Sequence, residues 1–252
     1  MDSNLWELED VRRGLFVSLV LSYYDLPSPL KRCFAYCVVF SKDYVFDIDE
    51  LVSMWTAHGF VESKGNMEVE IMAREYFDNL VIHSFFQEFS KNTNGNMRYK
   101  MHDIVHDFAQ SITKARHLGY STASQFPPSA DISKNLCTVI FFNHCDYNMS
   151  NVVQNFSYLQ VLTLPIGKEI PDTIGNLIHL RYLDLFKEVF SIDKWVLPET
   201  ICNLCNLQFL MLGFGTISIL LQGISKLINL RLLAGNNLVI PRGIGRLLLL
   251  EH

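Results

Sequence analysis

From Ile170 onward the chain repeats one phrase, and this repetition limits its fold more than any other feature. Ile170-Pro171-x-x-Ile174-x-x-Leu177-x-x-Leu180-x-x-Leu183-x-Leu185 is echoed by Leu197-Pro198-x-x-Ile201-x-x-Leu204-x-x-Leu207-x-x-Leu210-x-Leu212. Further echoes run through Ile224, Leu227 and Leu230, then through Ile240-Pro241, Ile244, Leu247 and Leu250; a partial copy ends at Leu159, Leu162 and Leu164. One such unit cannot bury its own apolar edge, so neighbouring units must stack. The spacing is that of a leucine-rich repeat, a strand and a looser segment per coil of a horseshoe. The positions after each strand, where many such repeats carry asparagine, hold Gly167, Glu188, Gly215 and Leu238, so an asparagine ladder is not expected.

Within each strand the leucines alternate with residues on the opposite face. That face carries two columns: Val161, Tyr182, Phe209 and Leu232, then Thr163, Asp184, Met211 and Ala234. Val161, Tyr182, Asp184, Phe209, Met211 and Leu232 are the candidate protein-interaction residues, because a line of exposed apolar side chains marks a binding surface. Packing of this column on the chain's own first half is the alternative. The array closes at Glu251-His252 with no polar capping repeat, which reads as a truncated solenoid or a poorly protected terminus.

The first half has a different grammar. Ser28-Pro29 reads as a cap and first turn, followed by a helix with Leu30, Cys33, Phe34 and Cys37 on one stripe. Asp47 and Glu50 form a capping-box variant ahead of Ile48, Leu51, Val52 and Trp55, and Gly59 is a stop. A third helix carries Val69, Met72, Ala73, Tyr76, Phe77 and Leu80. Strands over 85–89 and 97–101 then flank an Asn94-Gly95 turn. Ile104, Val105, Phe108, Ala109 and Ile112 return to helical spacing, with Asp103 as its expected cap. Three helices and a β-hairpin make a winged helix. The fold class expected is therefore α+β and multidomain, a winged-helix domain followed by an irregular leucine-rich-repeat solenoid, an α/β horseshoe.

Composition closes off several functions. A net charge of −5 disfavours a nucleic-acid partner, and the third helix carries Glu68, Glu70, Glu75 and Asp78 against Arg74, which phosphates would repel. The run from Leu15 to Leu21 is too short for a membrane span, and the first residues lack a signal peptide. Cys202-x-x-Cys205 lacks a second ligand pair for zinc, and Cys33 and Cys37 read as core residues of a reducing, cytoplasmic setting. His102 and His106 lie four apart as in helical zinc sites, but without an evident third ligand. The expectation is a protein that is not an enzyme.

Met101-His102-Asp103, the Cys33-Phe34-Ala35-Tyr36-Cys37 helix, the segment Leu51 to Phe60 and the leucine array occur in one order. That order resembles the middle of plant disease-resistance proteins of the nucleotide-binding, leucine-rich-repeat family. The resemblance implies an ADP/ATP switch in which His102 reaches the β-phosphate of ADP, Met101 packs beneath it and Asp103 orients the junction. It implies protein partners: the receptor's own nucleotide-binding domain, a pathogen effector or a guarded host protein, with oligomers only in an activated full-length receptor. No Gly-x-x-x-x-Gly-Lys-[Ser/Thr] loop occurs, so this chain alone is expected to bind ADP weakly or not at all. The organisation expected is a remnant of a preceding helical subdomain over 1–25, a winged helix over 26–115, a linker and first solenoid strand region over 116–150, and repeats over 151–252. The alternative is a free-standing repeat adaptor that never meets nucleotide.

Overall fold

The computed structural model describes residues 14, 16–62, 68–92, 95–113, 116–120, 136–142, 156–165, 170–186, 197–213 and 222–235. The chain divides into two compact units, Met1–Lys114 and Ala115–His252.

In the first unit, helix α1 (16–25) precedes α2 (Ser28–Tyr36), which passes into a 3-10 turn over Cys37–Val39. Strand β1 (Val45–Phe46), helices α3 (Ile48–His58) and α4 (Val69–Ile82), strands β2 (Gln87–Lys91) and β3 (Met97–Lys100), and helix α5 (Asp103–Ile112) follow. The helices form where the apolar stripes demand. Cys33, Phe34 and Cys37 are buried, as are Leu51, Val52 and Trp55, and Met72, Ala73, Tyr76, Phe77 and Leu80. An aromatic lattice knits them, with Phe34 on Phe85 (ring centroids 4.5 Å), Phe77 on Phe86 (5.1 Å) and Tyr23 of α1 on Phe108 (5.5 Å).

Local chemistry explains the boundaries. Asp47 caps α3, its carboxylate accepting from the Asp49 N–H at 3.0 Å. Gly59, at φ 68°, ends α3 in a Schellman motif: its N–H reaches Thr56 O and Phe60 N–H reaches Trp55 O. Ser28 is a correction. The cap of α2 is Pro27, and Ser28 is already helical, because Pro27 fixes the extended entry at φ −58° and ψ 152°. Glu50 does not complete a capping box; its carboxylate instead accepts from Tyr44 Oη at 3.2 Å.

The wing also departs from expectation. Phe85 and Phe86 are both buried, at 0% and 3% exposure, so they serve as core residues and the strand starts at Gln87. A strand with one solvated face cannot bury consecutive side chains. The sheet gains a third member, in the order β1-β3-β2, with Val45 opposite Lys100. Gly95 turns at φ 84° as expected, while Asn94 lies outside the described residues.

The second unit is a six-stranded parallel sheet in chain order: β4 (His117–Tyr120), β5 (Thr138–Phe141), β6 (Val161–Pro165), β7 (Tyr182–Phe186), β8 (Phe209–Leu212) and β9 (Leu232–Gly235). The phrase leucines Leu162, Leu183 and Leu210 stand in register and are fully buried, with Leu164, Leu185 and Leu212 forming the next layer. On the far side, 3-10 turns at Asp172–Asn176, Glu199–Asn203 and Gln222–Lys226 stack on one another. The stretch expected as a linker and first solenoid strand region contributes β4 and β5, and the sheet begins at His117. Those strands lack the leucine phrase and are held by ladder pairing with buried Tyr120, Val139 and Phe141.

An asparagine ladder does exist, in a register not foreseen. Asn206 Nδ2 donates to Ile178 O and Asn229 Nδ2 to Cys205 O, both at 2.7 Å. These side chains precede each strand and bridge consecutive coils. Gly167, Glu188, Gly215 and Leu238 lie outside the described residues, as do the echoes from Ile240 to Leu250.

Candidate functional site

Strand β3 of the wing ends at Lys100, and the next three residues carry the backbone into α5. Met101 is 5% exposed and anchors the junction in the core, whereas His102 and Asp103 are open to solvent. His102 keeps an extended backbone, φ −63° and ψ 146°, and its carbonyl accepts the N–H groups of Val105 and His106 at 2.9 Å. His102 is thus the cap residue of α5, and Asp103 is the first helical residue. That corrects the expected capping role of Asp103: its backbone has already turned, so its carboxylate meets the positive helix end without capping it.

The junction opens on a cleft of about 790 Å³. Ser18, Leu19 and Ser22 of α1, Lys42, His83 and Ser84 after α4, and His102, Asp103, Ile104, Val105 and Asp107 line it. Lys42 Nζ lies 2.5 Å from Asp107 Oδ1, and this hydrogen bond holds the Lys42 ammonium above its usual range. The His102 imidazole, the Lys42 ammonium and the Ser22 and Ser84 hydroxyls face the cleft as donors, whereas Ser18 already donates to Gly14 O at 3.0 Å; Asp103 and Asp107 oppose an anion. Asp107 already engages Lys42, which leaves His102 as the exposed nitrogen donor at the start of α5.

His83 and Ser84 escaped the sequence reading. The detectable signal was a non-glycine pair where helix α4 stops: Ser84 sits in the left-handed region at φ 62°. Its N–H reaches Val81 O at 2.8 Å and the Phe85 N–H reaches Leu80 O at 3.0 Å, the same end motif that Gly59 gives α3.

His106 does not join His102. It is 7% exposed, and its Nε2 donates to Phe40 O at 2.9 Å, tying α5 to the turn after α2. Because His102 lies outside the helix, the four-residue spacing no longer aligns the two rings. Among the described residues no group of three or more His, Cys, Asp or Glu could hold a metal ion. Cys33 and Cys37 are buried free thiols, and burial pushes both well above the usual thiol range. Cys202 is buried and Cys205 exposed.

In the repeat unit the two expected columns form in register: Val161, Tyr182, Phe209 and Leu232, then Thr163, Asp184, Met211 and Ala234. Their exposure corrects the expectation. Val161 and Tyr182 are fully buried and Phe209 is 2% exposed, whereas Leu232, Asp184 and Met211 are half-buried. The Tyr182 and Phe209 rings lie 6.1 Å apart in adjacent coils. An open apolar surface is therefore not what this column presents.

A winged helix with this junction and a leucine-rich-repeat sheet make a chain of two different parts. Comparison with known families bears on both parts: the disease resistance protein winged helix domain matches residues 39–109, and a leucine-rich repeat region matches 137–252. Disease resistance protein RGA2 of Solanum bulbocastanum is 37% identical over 182 residues, covering 71% of this chain and 18% of that protein. Disease resistance protein RPM1 of Arabidopsis thaliana is 31% identical over 213 residues, covering 81% and 22%. A leucine-rich-repeat protein of Leptospira interrogans is 24% identical with a TM-score of 0.44, covering 54% of this chain and 35% of that one. The chain belongs to the plant disease-resistance proteins of the nucleotide-binding, leucine-rich-repeat family. It spans about a fifth of the length of the curated relatives it matches.

Proposed function

We propose that this chain is the regulatory middle of an intracellular plant immune receptor, with a winged helix that reports nucleotide state and repeats that bind protein. One observation carries the reading: Met101 is fixed in the core while His102 stands exposed at the mouth of the cleft. An imidazole so held can donate to a phosphate oxygen without moving its anchor. In the intact receptor His102 would contact the β-phosphate of ADP, and Asp103 would help set the junction. Such a contact, made in the ADP state and lost or altered in the ATP state, biases a two-state switch towards rest.

The repeats would restrain the winged helix until a pathogen effector or a guarded host protein shifts the balance, after which the full receptor would oligomerise. A cytoplasmic setting accords with the buried free thiols, and no described helix is long and apolar enough to cross a membrane. The free-standing adaptor is not favoured, because the winged-helix model matched over 39–109 is itself that of disease-resistance proteins.

Two measurements test the reading. Calorimetry on this chain should find ADP binding weaker than micromolar, since one imidazole replaces no phosphate loop. In an intact receptor carrying this segment, His102→Ala should weaken ADP retention about tenfold, the loss of one charge-assisted hydrogen bond. Unchanged retention, or micromolar binding by the chain alone, would overturn it.

A further inference from the structure

We infer that His83 and Ser84 form a second phosphate-binding element of the same cleft, so that a diphosphate is held by two imidazoles rather than by His102 alone. The inference rests on the reading of His102 given above, but its observations lie on a different element.

His83 is positioned for the task. Its Nδ1 lies 2.8 Å from Asn79 O, and a carbonyl only accepts, so Nδ1 carries the proton. Nε2 is then the nitrogen left to face a ligand, and it donates to a phosphate oxygen in the imidazolium form. The ring also lies nearly parallel to Phe85, at 13° and 6.4 Å, and Phe85 is fully buried. A ring held by a backbone bond and a core aromatic has little rotamer freedom left to lose on binding. His83 and His102 line the same cleft.

Ser84 supplies the independent observation. At φ 62° it occupies a conformation that costs an L-residue and is nearly free to glycine. Gly59 fills the matching position at the end of α3. Only a hydroxyl distinguishes serine from the cheaper choice, and Ser84 lines the cleft. Strain retained at a cleft is a mark of function.

The test is a titration of the full 252-residue protein with inorganic pyrophosphate and, separately, ADP, following the imidazole C–H signals of its histidines by NMR. Both His83 and His102 signals should shift saturably at millimolar ligand, and His83→Gln should weaken binding about threefold or more. ADP binding like pyrophosphate would assign the site to the diphosphate alone; tighter ADP binding would add the nucleoside. The decisive variant is Ser84→Gly, which should raise the melting temperature while weakening pyrophosphate binding. A raised melting temperature with unchanged affinity would overturn the inference. A shift of the His102 signal without His83 would overturn it too, yet leave the His102 reading intact. Silence of both signals would overturn the inference, and the His102 contact would then be judged by the intact receptor.

Discussion

Ser84 shows how one residue can oppose its own fold. Removing its side chain relieves a left-handed conformation, so Ser84→Gly should stabilise the first unit by about 0.5–1 kcal/mol. Urea denaturation would read this directly, and a destabilised variant would refute the backbone argument. Two titrating residues make opposite demands. Burial lifts the Glu50 carboxyl to about 7, although the Tyr44 hydroxyl donates to it and partly counteracts the rise. A carboxyl raised on folding stabilises below its unfolded pKa and loses that contribution as pH climbs through 7. Glu50→Gln should flatten the decline between pH 5 and 7 by about 1 kcal/mol, screened because this side chain is only half-buried. Burial lowers His117 to about 4, with Arg116 adding to the effect. That contribution is present above pH 6.5 and is lost as pH falls towards 4, so the repeat unit should weaken on acidification. Stability of His117→Gln that fell as steeply as the parent's between pH 6.5 and 4 would exclude His117 as the cause.

Among elements, the coil-to-coil turns are the least forgiving. A Cβ at Gly175 would lie 2.6 Å from Thr200 O, a backbone atom that no rotamer change can move. Gly175→Ala should cost about 1–3 kcal/mol in chemical denaturation, whereas Asn206→Ala, losing one exposed bond to Ile178 O, should cost about 0.5–1 kcal/mol. Equal losses would show that the ladder, not the close turns, sets coil spacing. The same elements mark what the sequence made legible. Leucines at fixed offsets announced β6 to β9, because a repeated burial need leaves a repeated pattern. Strands β4 and β5 carried no such phrase; His117-Leu118-Gly119-Tyr120 resembles a loop until a neighbour pairs with it. Asn206 and Asn229 were visible as residues, but their bonds depend on how coils stack. His102 could be proposed from its motif and neighbours. His83 could not, since its claim rests on the backbone at Ser84 and on a cleft assembled from α1, α4 and α5.

At the scale of the molecule, two units carry two different chemistries. The first places polar donors around a cleft above an aromatic core, and the second spreads a leucine spine through a parallel sheet. The proposed switch couples them: a contact at the junction sets the resting state, and protein binding at the repeats releases it. Glu75 and Asp78 of α4 are exposed beside Arg74, which pairs with Asp49, and such carboxylates repel a phosphate backbone. The most direct measurement is a cell-death assay with an intact receptor carrying this segment and Asp103→Val, expressed without effector. Loss of the carboxylate that opens α5 beside His102 should trigger signalling on its own; a silent receptor, expressed at the parent's level, would contradict the proposal that this junction holds the resting state.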